Sequence, residues 1–282
     1  MRKKFPTSII CLILSIIFPF QVKAETVLEK IQQTGLIKVA VREDAVPFSY
    51  RDLNGNLTGL CLDFIYLLEK RIKKELNREI LFIRLVKSTL FNRFDIVENN
   101  IVYLECGPNT IRSDLSFNVA FSDPFFITGT QFLIEKENEK IVNPDGSLKN
   151  ITIGVLRDTT TEEFVESKYP LANIEIFQGV TGRLRGIQAL QQGKLDAFAS
   201  DGILLVGEGV LQGLTVERYK LVPEQPLTCE YYGIIVPKND PQWRNLVNSV
   251  IQSTPLEEIL KEWFNVVFPY IGIAKNFCEG DN

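Results

Sequence analysis

Along the first hundred residues, short apolar runs typical of strands alternate with hydrophobic positions spaced as on one face of a helix. Short apolar runs at 36–41 and 80–86 predict strands, and residues 101–104 repeat that pattern. Between the first two runs, residues 62–76 place apolar side chains on one face of a helix, at Phe64, Ile65, Leu67, Leu68 and Ile72. Because strands and helices follow one another in this order, we expect an α/β sheet with helices on its faces.

The alternation restarts after a polar stretch at residues 137–150, which contains Asn, Pro and Gly. A composition shift of this kind is typical of a domain boundary. A further helix is predicted to begin at residue 201. Before it, strand and helix patterns alternate at 151–156, 160–169, 174–177, 183–192 and 196–199. These patterns predict a second α/β lobe.

The last third of the chain carries one more apolar strand pattern, at 232–236, and helical periodicity over 243–264. The second lobe already has its sheet, so we expect the chain to cross back to the first lobe. Crossings at 133–136 and 230–235 would form a two-strand hinge. The predicted lobes are lobe 1 over 25–134 and 231–282, and lobe 2 over 135–230.

The N-terminus has the order of features of a secretory signal peptide. A basic start at residues 2–4 precedes an apolar run over 9–20, and residues 22–24 supply a small-residue cleavage site. Cleavage near Ala24 would remove residues 1–24, and an uncleaved N-terminal anchor is the alternative. No later segment has 18 uninterrupted apolar residues, so we expect no stable membrane insertion after signal cleavage.

Charge and composition narrow the classes of function. The mature chain carries 27 basic against 35 acidic residues and has no basic run, which argues against nucleic acid as a partner. Histidine is absent, and this absence excludes histidine-based catalytic triads and histidine-ligated metals. The absence of histidine disfavours an enzyme without excluding one. The favoured prediction is a protein with no metal, no cofactor and no catalytic residues.

Four cysteines remain after signal cleavage, and they show no CxxC spacing. The cysteine spacing therefore argues against a zinc-binding site and against a thioredoxin-like redox site. In an oxidising compartment the four cysteines could form two disulfide bonds, with three pairings available. The favoured pairing joins Cys61 with Cys106 and Cys229 with Cys278, and free buried thiols are the alternative.

One segment resembles the first ligand loop of family 3 periplasmic amino-acid-binding proteins, and most of all their glutamate/aspartate-binding branch. It reads Arg-Glu-Asp-Ala-Val-Pro-Phe-Ser-Tyr, at residues 42–50. Further matches to the family follow in order along the chain, at 92–93, 105–107, 121–123, 158–162, 196–201 and 261–264. No single piece is decisive, but together the matches extend over most of the mature chain.

This resemblance implies a fold and a mode of action. The fold would be a two-lobed clamshell of the type II periplasmic-binding-protein class, which closes on its ligand in the interlobe cleft. The protein would be a periplasmic monomer that delivers a small amino acid to the permease subunits of an ABC transporter.

The resemblance also implies how the α-carboxylate of the ligand is held. In the relatives, a threonine or serine pair and an arginine bind that carboxylate, and Thr110 and Arg112 are the candidates here. The spacing departs from the family, because the relatives place the arginine where this chain has Leu115. We expect a rebuilt loop to bring Arg112 to the site, since a bidentate guanidinium fork is hard to replace. The alternative is a solvent-facing Arg112.

The second lobe supplies the other candidates for the α-end of the ligand. Thr159, Thr160 and Thr161 open a predicted helix after a strand, where hydroxyls and free backbone N–H groups favour an anion. Ordinary N-capping is the alternative. Asp201 follows the strand pattern at 196–199, on the edge where open α/β sheets bind ligands. We interpret Asp201 as the partner of the ammonium group, with a helix cap as the alternative.

Arginines determine the predicted specificity. In the glutamate/aspartate branch, the positions that match Arg42 and Arg93 contact the distal carboxylate, and Arg183 matches another polar pocket position. Three arginines near one small pocket would repel one another without an anion between them. The predicted ligand is therefore an acidic L-amino acid. The alternative is that Arg42 and Arg93 are ordinary charged residues on the protein surface. Phe48 and Tyr50 are candidates for either the cleft wall or the core.

Three other functions stay open from the sequence. The first is a receptor with broad specificity for polar amino acids. The second is a periplasmic cyclohexadienyl dehydratase-like enzyme, because some family 3 relatives dehydrate prephenate or arogenate. Such an enzyme would need a general acid, for which Glu43, Glu162 and Glu230 are available. The third is a sensory ligand-binding domain without a transporter.

Overall fold

The computed structural model describes residues 25–265 and 268–280. The predicted signal peptide, residues 1–24, lies outside these ranges. Within them, no helix is both long enough and apolar enough to cross a bilayer. The described chain forms two five-stranded sheets and two smaller sheets, with helices packed between and around them.

Short strands follow one another through both halves of the chain. In chain order they are β1 (Leu36–Val41), β2 (Asp44–Ala45), β3 (Ser49–Arg51), β4 (Leu57–Thr58), β5 (Phe82–Lys87), β6 (Leu104–Cys106), β7 (Val119–Phe121), β8 (Phe126–Thr128), β9 (Thr130–Glu135), β10 (Thr152–Leu156), β11 (Asn173–Phe177), β12 (Ala197–Asp201), β13 (Tyr219–Val222), β14 (Glu230–Tyr232) and β15 (Ile235–Pro237).

Helices connect most of these strands, and a 3₁₀ helix at Lys136–Lys140 follows β9. The α-helices are α1 (Val27–Thr34), α2 (Leu60–Leu76), α3 (Asp95–Glu98), α4 (Thr160–Lys168), α5 (Gly182–Gln191), α6 (Gly202–Leu211), α7 (Pro241–Ile251), α8 (Thr254–Phe264) and α9 (Phe268–Glu279).

The first large sheet has the strand order β5-β1-β6-β15-β7. Strand β1 pairs parallel with β5 and β6, while β15 runs antiparallel to β6 and β7. Val39 and Val41 on β1 share one buried core with Leu68 of α2 and Trp243 of α7. The indole N–H of Trp243 donates to the carbonyl oxygen of Tyr103 at 2.7 Å. The C-terminal helices therefore belong to the core of the first sheet.

The second large sheet has the strand order β11-β10-β12-β9-β13. Strand β10 pairs parallel with β11 and β12, and β9 runs antiparallel to β12 and β13. Phe132, Ile153 and Ala197 are fully buried in its core. The two sheets confirm the predicted α/β architecture with two lobes.

Strands β8 and β14 form a two-stranded antiparallel sheet, in which Phe126 lies opposite Tyr232 and Thr128 opposite Glu230. The chain passes through these strands on its way between the two large sheets. The second predicted crossing, at 230–235, includes β14. Strand β9 pairs only within the second sheet and is buried along its whole length. The strand pairs therefore favour a first crossing at β8 instead of 133–136, and the exact lobe bounds stay a prediction.

The lobes approach each other closely on one side of this hinge. A Cβ atom on Gly207 of α6 would lie 2.4 Å from the carbonyl oxygen of Val46, in the loop after β2. Because real Cβ atoms do not approach oxygen so closely, only glycine at position 207 allows this contact. The first-lobe loop therefore packs directly on a second-lobe helix.

The C-terminal third differs from the sequence prediction in two ways. The helical periodicity over 243–264 belongs to two helices, α7 and α8, because Pro255 lies in the first turn of α8 and cannot continue α7. Helix α9 was not predicted. Its buried Ala274 and its contacts with β8 and α6 place this helix against the hinge.

Two disulfide bonds connect distant elements, and both belong to the pairing favoured from the sequence. Cys61 of α2 is bonded to Cys106 of β6, and both residues are buried in the core of the first sheet. Cys229, which precedes β14, is bonded to Cys278 of α9 near the surface. The two bonds close loops of nearly equal length, with sequence separations of 45 and 49.

This difference in burial gives a stability prediction. Because loop entropy is nearly the same for both bonds, each double alanine variant should lose about 2–5 kcal/mol of unfolding free energy from the loss of its cross-link. Cys61→Ala/Cys106→Ala should lose about 1–2 kcal/mol more, since it also leaves a cavity in the core. Urea denaturation of the two variants and the wild type measures the difference. Equal losses would show that the buried bond contributes no packing.

Candidate functional site

A narrow cavity of about 40 Å³ lies between the two large sheets. Its walls come from the carboxyl ends of β1, β6 and β12 and from the N-termini of α4 and α5. Open α/β sheets bind ligands at this edge. Eight of the ten predicted ligand residues line the cavity, namely Arg42, Arg93, Thr110, Arg112, Thr159, Thr160, Arg183 and Asp201. Thr161, the third threonine of the predicted anion site, also lines the cavity. The sequence did not predict the other lining residues, which are Leu90, Phe94, Pro108, Ser200 and Leu204.

The two predicted aromatic residues do not line this cavity. Phe48 is fully buried in the first core, with its ring 5.2 Å from that of Phe126 and 5.4 Å from that of Tyr232. Tyr50 lies on β3, opposite Asp44 of β2. Of the two interpretations left open by the sequence, the structure favours packing for Phe48, because the cluster of aromatic rings around it fills the core behind the cleft.

Arg42 is buried and forms a bidentate ion pair with Asp44. Its Nε donates to Oδ1 at 2.7 Å and its Nη2 to Oδ2 at 2.9 Å, and the arginine is only 1% exposed. Burial alone would raise the pKa of Asp44, but the charge and hydrogen bonds of Arg42 lower it below its ordinary value. Both groups therefore stay ionised at neutral pH.

Arg93 and Arg183 have no carboxylate partner among the described contacts. Arg183 donates from Nη1 to the backbone oxygen of Asp44 at 2.8 Å, and its buried Nε has no hydrogen-bond partner. Arg93 donates to the backbone oxygens of Leu90 and Asp158. Burial, and next the nearby charge of Arg42, lower the pKa of Arg93 to about 10. Burial also lowers the pKa of Arg183. These two guanidinium groups would gain most from an anion in the cavity.

Arg112 lines the cavity, as the resemblance required, but its guanidinium group is already paired. Nε and Nη2 donate to Asp114 at 2.6 Å each, and Nη1 and Nη2 donate to Glu163 at 3.0 and 3.1 Å. Asp114, and next Glu163, raise the pKa of Arg112. Asp114 lies on the same loop, whereas Glu163 lies on α4 of the second lobe. In this arrangement Arg112 joins the two lobes and has no free edge for a ligand carboxylate.

The threonines at the start of α4 are used within the protein. Thr159 caps the helix, because its hydroxyl accepts from the N–H of Glu162 at 3.1 Å and donates to the oxygen of Leu156 at 2.8 Å. Thr160 donates to Glu230 on the hinge strand β14 at 3.2 Å. The predicted capping and the predicted anion site are compatible, because a capped N-terminus still presents backbone N–H groups.

Asp201 ends β12 and is buried at the hinge. Its carboxylate accepts a hydrogen bond from the hydroxyl of Tyr232 and lies 3.5 Å from the hydroxyl of Thr161. Burial, and next the charge of Glu230, raise the pKa of Asp201 to about 7. A cationic group beside Asp201 would relieve both effects. Tyr232 was not predicted at this site, and Glu230 was considered only as a general acid of the enzyme alternative, because only the fold brings β14 to this edge.

A second buried carboxylate lies behind the arginines. Glu105 is the central residue of β6 and has no exposed surface. It accepts from the hydroxyl of Ser88 at 2.7 Å and from the side-chain nitrogen of Asn109 at 2.6 Å. Burial raises the pKa of Glu105. A lone acid at the end of an apolar strand was a sequence signal for such a buried group. The described residues contain no cluster of three or more acids or cysteines that could hold a metal ion.

The pair between Arg112 and Glu163 gives a prediction for lobe opening. Glu163→Gln removes the acid on α4 and should shift the ligand-free protein toward open forms by up to about fivefold, since partly exposed ion pairs contribute up to about 1 kcal/mol. Asp114→Asn is the matched control, because that acid pairs with the same arginine within one lobe. Single-molecule fluorescence energy transfer between dyes on the two lobes measures the distribution. An equal shift in both variants would contradict a role specific to the interlobe pair.

Three curated proteins named for glutamate and aspartate resemble this chain over most of its length. The glutamate/aspartate import solute-binding protein of Escherichia coli (strain K12) is 29% identical over 266 residues, which cover 92% of this chain and 86% of the relative. The protein of the same name from Salmonella typhimurium is 30% identical over 267 residues, with the same coverage. The L-glutamate/L-aspartate-binding protein of Pseudomonas aeruginosa is 29% identical over 260 residues, covering 89% and 83% of the two chains.

Solved structures share the fold at lower identity. The ancestral amino acid-binding protein AncCDT-1, a precursor of cyclohexadienyl dehydratase, is 23% identical with a TM-score of 0.71, and the match covers 85% of this chain and 100% of that one. A mutant of ArgBP from T. maritima is 23% identical with a TM-score of 0.69, covering 84% and 99%. The profile of one family matches residues 37–266. This chain therefore belongs to the bacterial extracellular solute-binding proteins, family 3.

Proposed function

We propose that this chain binds an acidic L-amino acid, glutamate or aspartate, between its lobes and delivers it to the permease of an ABC transporter. One observation carries the choice of ligand: Arg93 and Arg183 line the same cavity as Asp201, and neither has a carboxylate partner among the residues that the structure describes. The names of the curated relatives support the same ligand class. An anionic side chain would supply the missing partner of the two arginines.

The α-end of the ligand is proposed to lie where Asp201 meets the start of α4. The hydroxyl of Thr161 lies 3.5 Å from the carboxylate of Asp201, so an acid and the N-terminus of a helix are side by side. This arrangement suits an α-amino acid, whose ammonium and carboxylate groups share one carbon atom. Asp201 would take the ammonium group, and the first-turn N–H groups of α4, with Thr160 and Thr110, would take the carboxylate.

The distal carboxylate is proposed to contact Arg93 and Arg183, with Arg42 behind them. Arg42 lies close enough to both for its charge to lower their pKa values, so the three groups form one cationic end of the cavity. Arg112 would pair the two lobes beside the ligand, with its own charge balanced by Asp114 and Glu163.

Ligand entry requires the lobes to separate. A volume of about 40 Å³ holds about one water molecule and is too small for an amino acid. Contacts between the lobes close the cavity, including those of Arg112 with Glu163 and of Arg183 with the backbone of Asp44. Opening about the paired strands β8 and β14 would break these contacts, and the ligand would favour their return.

The proposed setting is the periplasm, where the mature chain would act as a monomer with the permease as its partner. The curated relatives are named as import or amino-acid-binding proteins, and we propose a binding role without catalysis. The likeness to a precursor of cyclohexadienyl dehydratase concerns the fold alone at 23% identity.

Isothermal titration of the mature protein tests the ligand and the role of Arg183 together. Wild type should bind glutamate or aspartate with a Kd in the micromolar range or tighter, at about −8 kcal/mol or better. Arg183→Gln should weaken glutamate binding about 10- to 100-fold, because it removes a charged hydrogen-bond donor. Arg185→Gln is the matched control, since that exposed arginine lies on the same helix and donates to Gln178 and Thr181.

Two outcomes of this titration would count against the proposal. Heat with glutamine or arginine but none with either acidic amino acid would remove the acidic-ligand assignment. Equal losses in the variants at Arg183 and Arg185 would show that the helix, and not the buried guanidinium group, supports binding.

Ligand affinity should depend on pH through Asp201. With a pKa of about 7 in the unliganded protein, this carboxyl group is mostly protonated at pH 5 and cannot pair with an ammonium ion. Glutamate affinity should therefore fall about 100-fold between pH 8 and pH 5, although the side chain of glutamate stays mostly ionised with its pKa of about 4.3. In titrations across this range, Asp201→Asn should bind glutamate weakly, with an affinity that does not change with pH. Tight glutamate binding by wild type that does not change with pH would contradict the assigned role of Asp201.

A further inference from the structure

An acid lies directly beside the cationic end of the cavity. Asp44 follows Arg42 by two residues, and its carboxylate accepts two hydrogen bonds from that arginine, at 2.7 and 2.9 Å. Its side chain is 11% exposed. The backbone oxygen of Asp44 accepts from Arg183 of the second lobe at 2.8 Å. Asp44 therefore contacts two of the three arginines that face the proposed position of the distal carboxylate.

Within the described part of the chain, Asp44 is the one carboxylate that hydrogen-bonds to any of these three arginines. Like charges buried together repel strongly, and an opposite charge within about 4–6 Å relieves them. Asp44 thus supplies part of what a ligand carboxylate would supply. The more of the positive charge it cancels, the less an acidic side chain gains over a neutral one.

A second arginine in the protein shows that such a pair leaves room for another carboxylate. Arg112 and Asp114 have the same spacing and the same bidentate contact, through Nε and Nη2. The remaining edge of Arg112, Nη1 with Nη2, binds the carboxylate of Glu163. The matching edge of Arg42 is not used by Asp44. A ligand carboxylate can therefore approach Arg42 while Asp44 stays bound, but it meets an arginine whose charge is already partly balanced.

We propose that Asp44 is a specificity-determining residue, a built-in counter-anion that reduces the preference of the site for acidic over amide side chains. The inference rests on the proposed function, because it assigns the distal group of the ligand to the arginine cluster. It concerns the ratio of affinities for glutamate and glutamine, which differ at that distal group alone.

Calorimetric titration with glutamate and with glutamine tests this role. Asp44→Asn keeps the shape and one acceptor but removes the charge, so the ratio of glutamate to glutamine affinity should rise at least tenfold. Glu43→Gln is the matched control, because in the described structure that neighbouring acid pairs with Arg51 and Lys87 instead of with an arginine of the cavity. Its ratio should equal that of wild type. An unchanged or lower ratio in Asp44→Asn would overturn the inference.

A second pair of variants covers the case in which an unpaired Arg42 prevents folding of Asp44→Asn. Arg42→Gln leaves the charge of Asp44 beside the remaining arginines, whereas Arg42→Gln/Asp44→Asn replaces the ion pair by two neutral side chains. The double variant should bind glutamate at least tenfold more tightly than the single one, with little change for glutamine. Equal affinities would mean that Asp44 acts only on structure. Failure of wild type to bind either acidic amino acid would instead refute the proposed function.

Discussion

Positive charge confined between two sheets is the constraint on which the rest of this molecule depends. Arg42 and Arg183 are almost fully buried, and Arg93 and Arg112 line the same small cavity. Buried like charges are tolerated only when anions lie among them. Asp44, Asp114 and Glu163 provide some of that compensation. Among the described residues, Arg93 and Arg183 have backbone carbonyl partners alone. In the proposed function a ligand carboxylate would complete the balance, and binding would then favour lobe closure.

The fold produces this concentration of charge by a simple geometric rule. Parallel strands in both sheets end at the same cleft, and residues that follow strands therefore meet there. Arg42 follows β1, Thr110 follows β6 and Asp201 ends β12. The hinge strand β14 then brings Glu230 and Tyr232 against Thr160 and Asp201. The proposed ligand site and the hinge strand consequently share hydrogen bonds, and through them occupancy of the cleft would be coupled to the position of the lobes.

Sequence patterns predicted the strands and helices that follow from local periodicity. They did not predict features that depend on contacts between residues far apart in the sequence. The strand patterns at 36–41 and 151–156 lie in the two sheets, because runs of apolar residues are buried there. The predicted lobe bounds divide the strand Thr130–Glu135 between the two lobes, because its apolar pattern fits an internal strand of either sheet. Helix α9 carried no clear pattern, because the contacts that order it come from the hinge and from Cys229.

The candidate site shows the same division. Motifs located the arginines and Asp201, since loops that follow strands can be read along the chain. The acid partners could not be assigned in this way, because Glu163 lies 51 residues from Arg112. Only Asp44 and Asp114 were within local reach, each two residues after its arginine. Spacing alone also could not reveal that Arg112, although it reaches the cavity, is occupied by Asp114 and Glu163.

A thermal-shift screen of the mature protein against the twenty amino acids tests whether the cleft selects an acidic amino acid, because a bound ligand stabilises the folded state by mass action. We expect glutamate and aspartate to raise the midpoint of unfolding well above the values for all other amino acids at neutral pH. A larger shift with arginine or lysine, or no shift with either acidic amino acid, would contradict it.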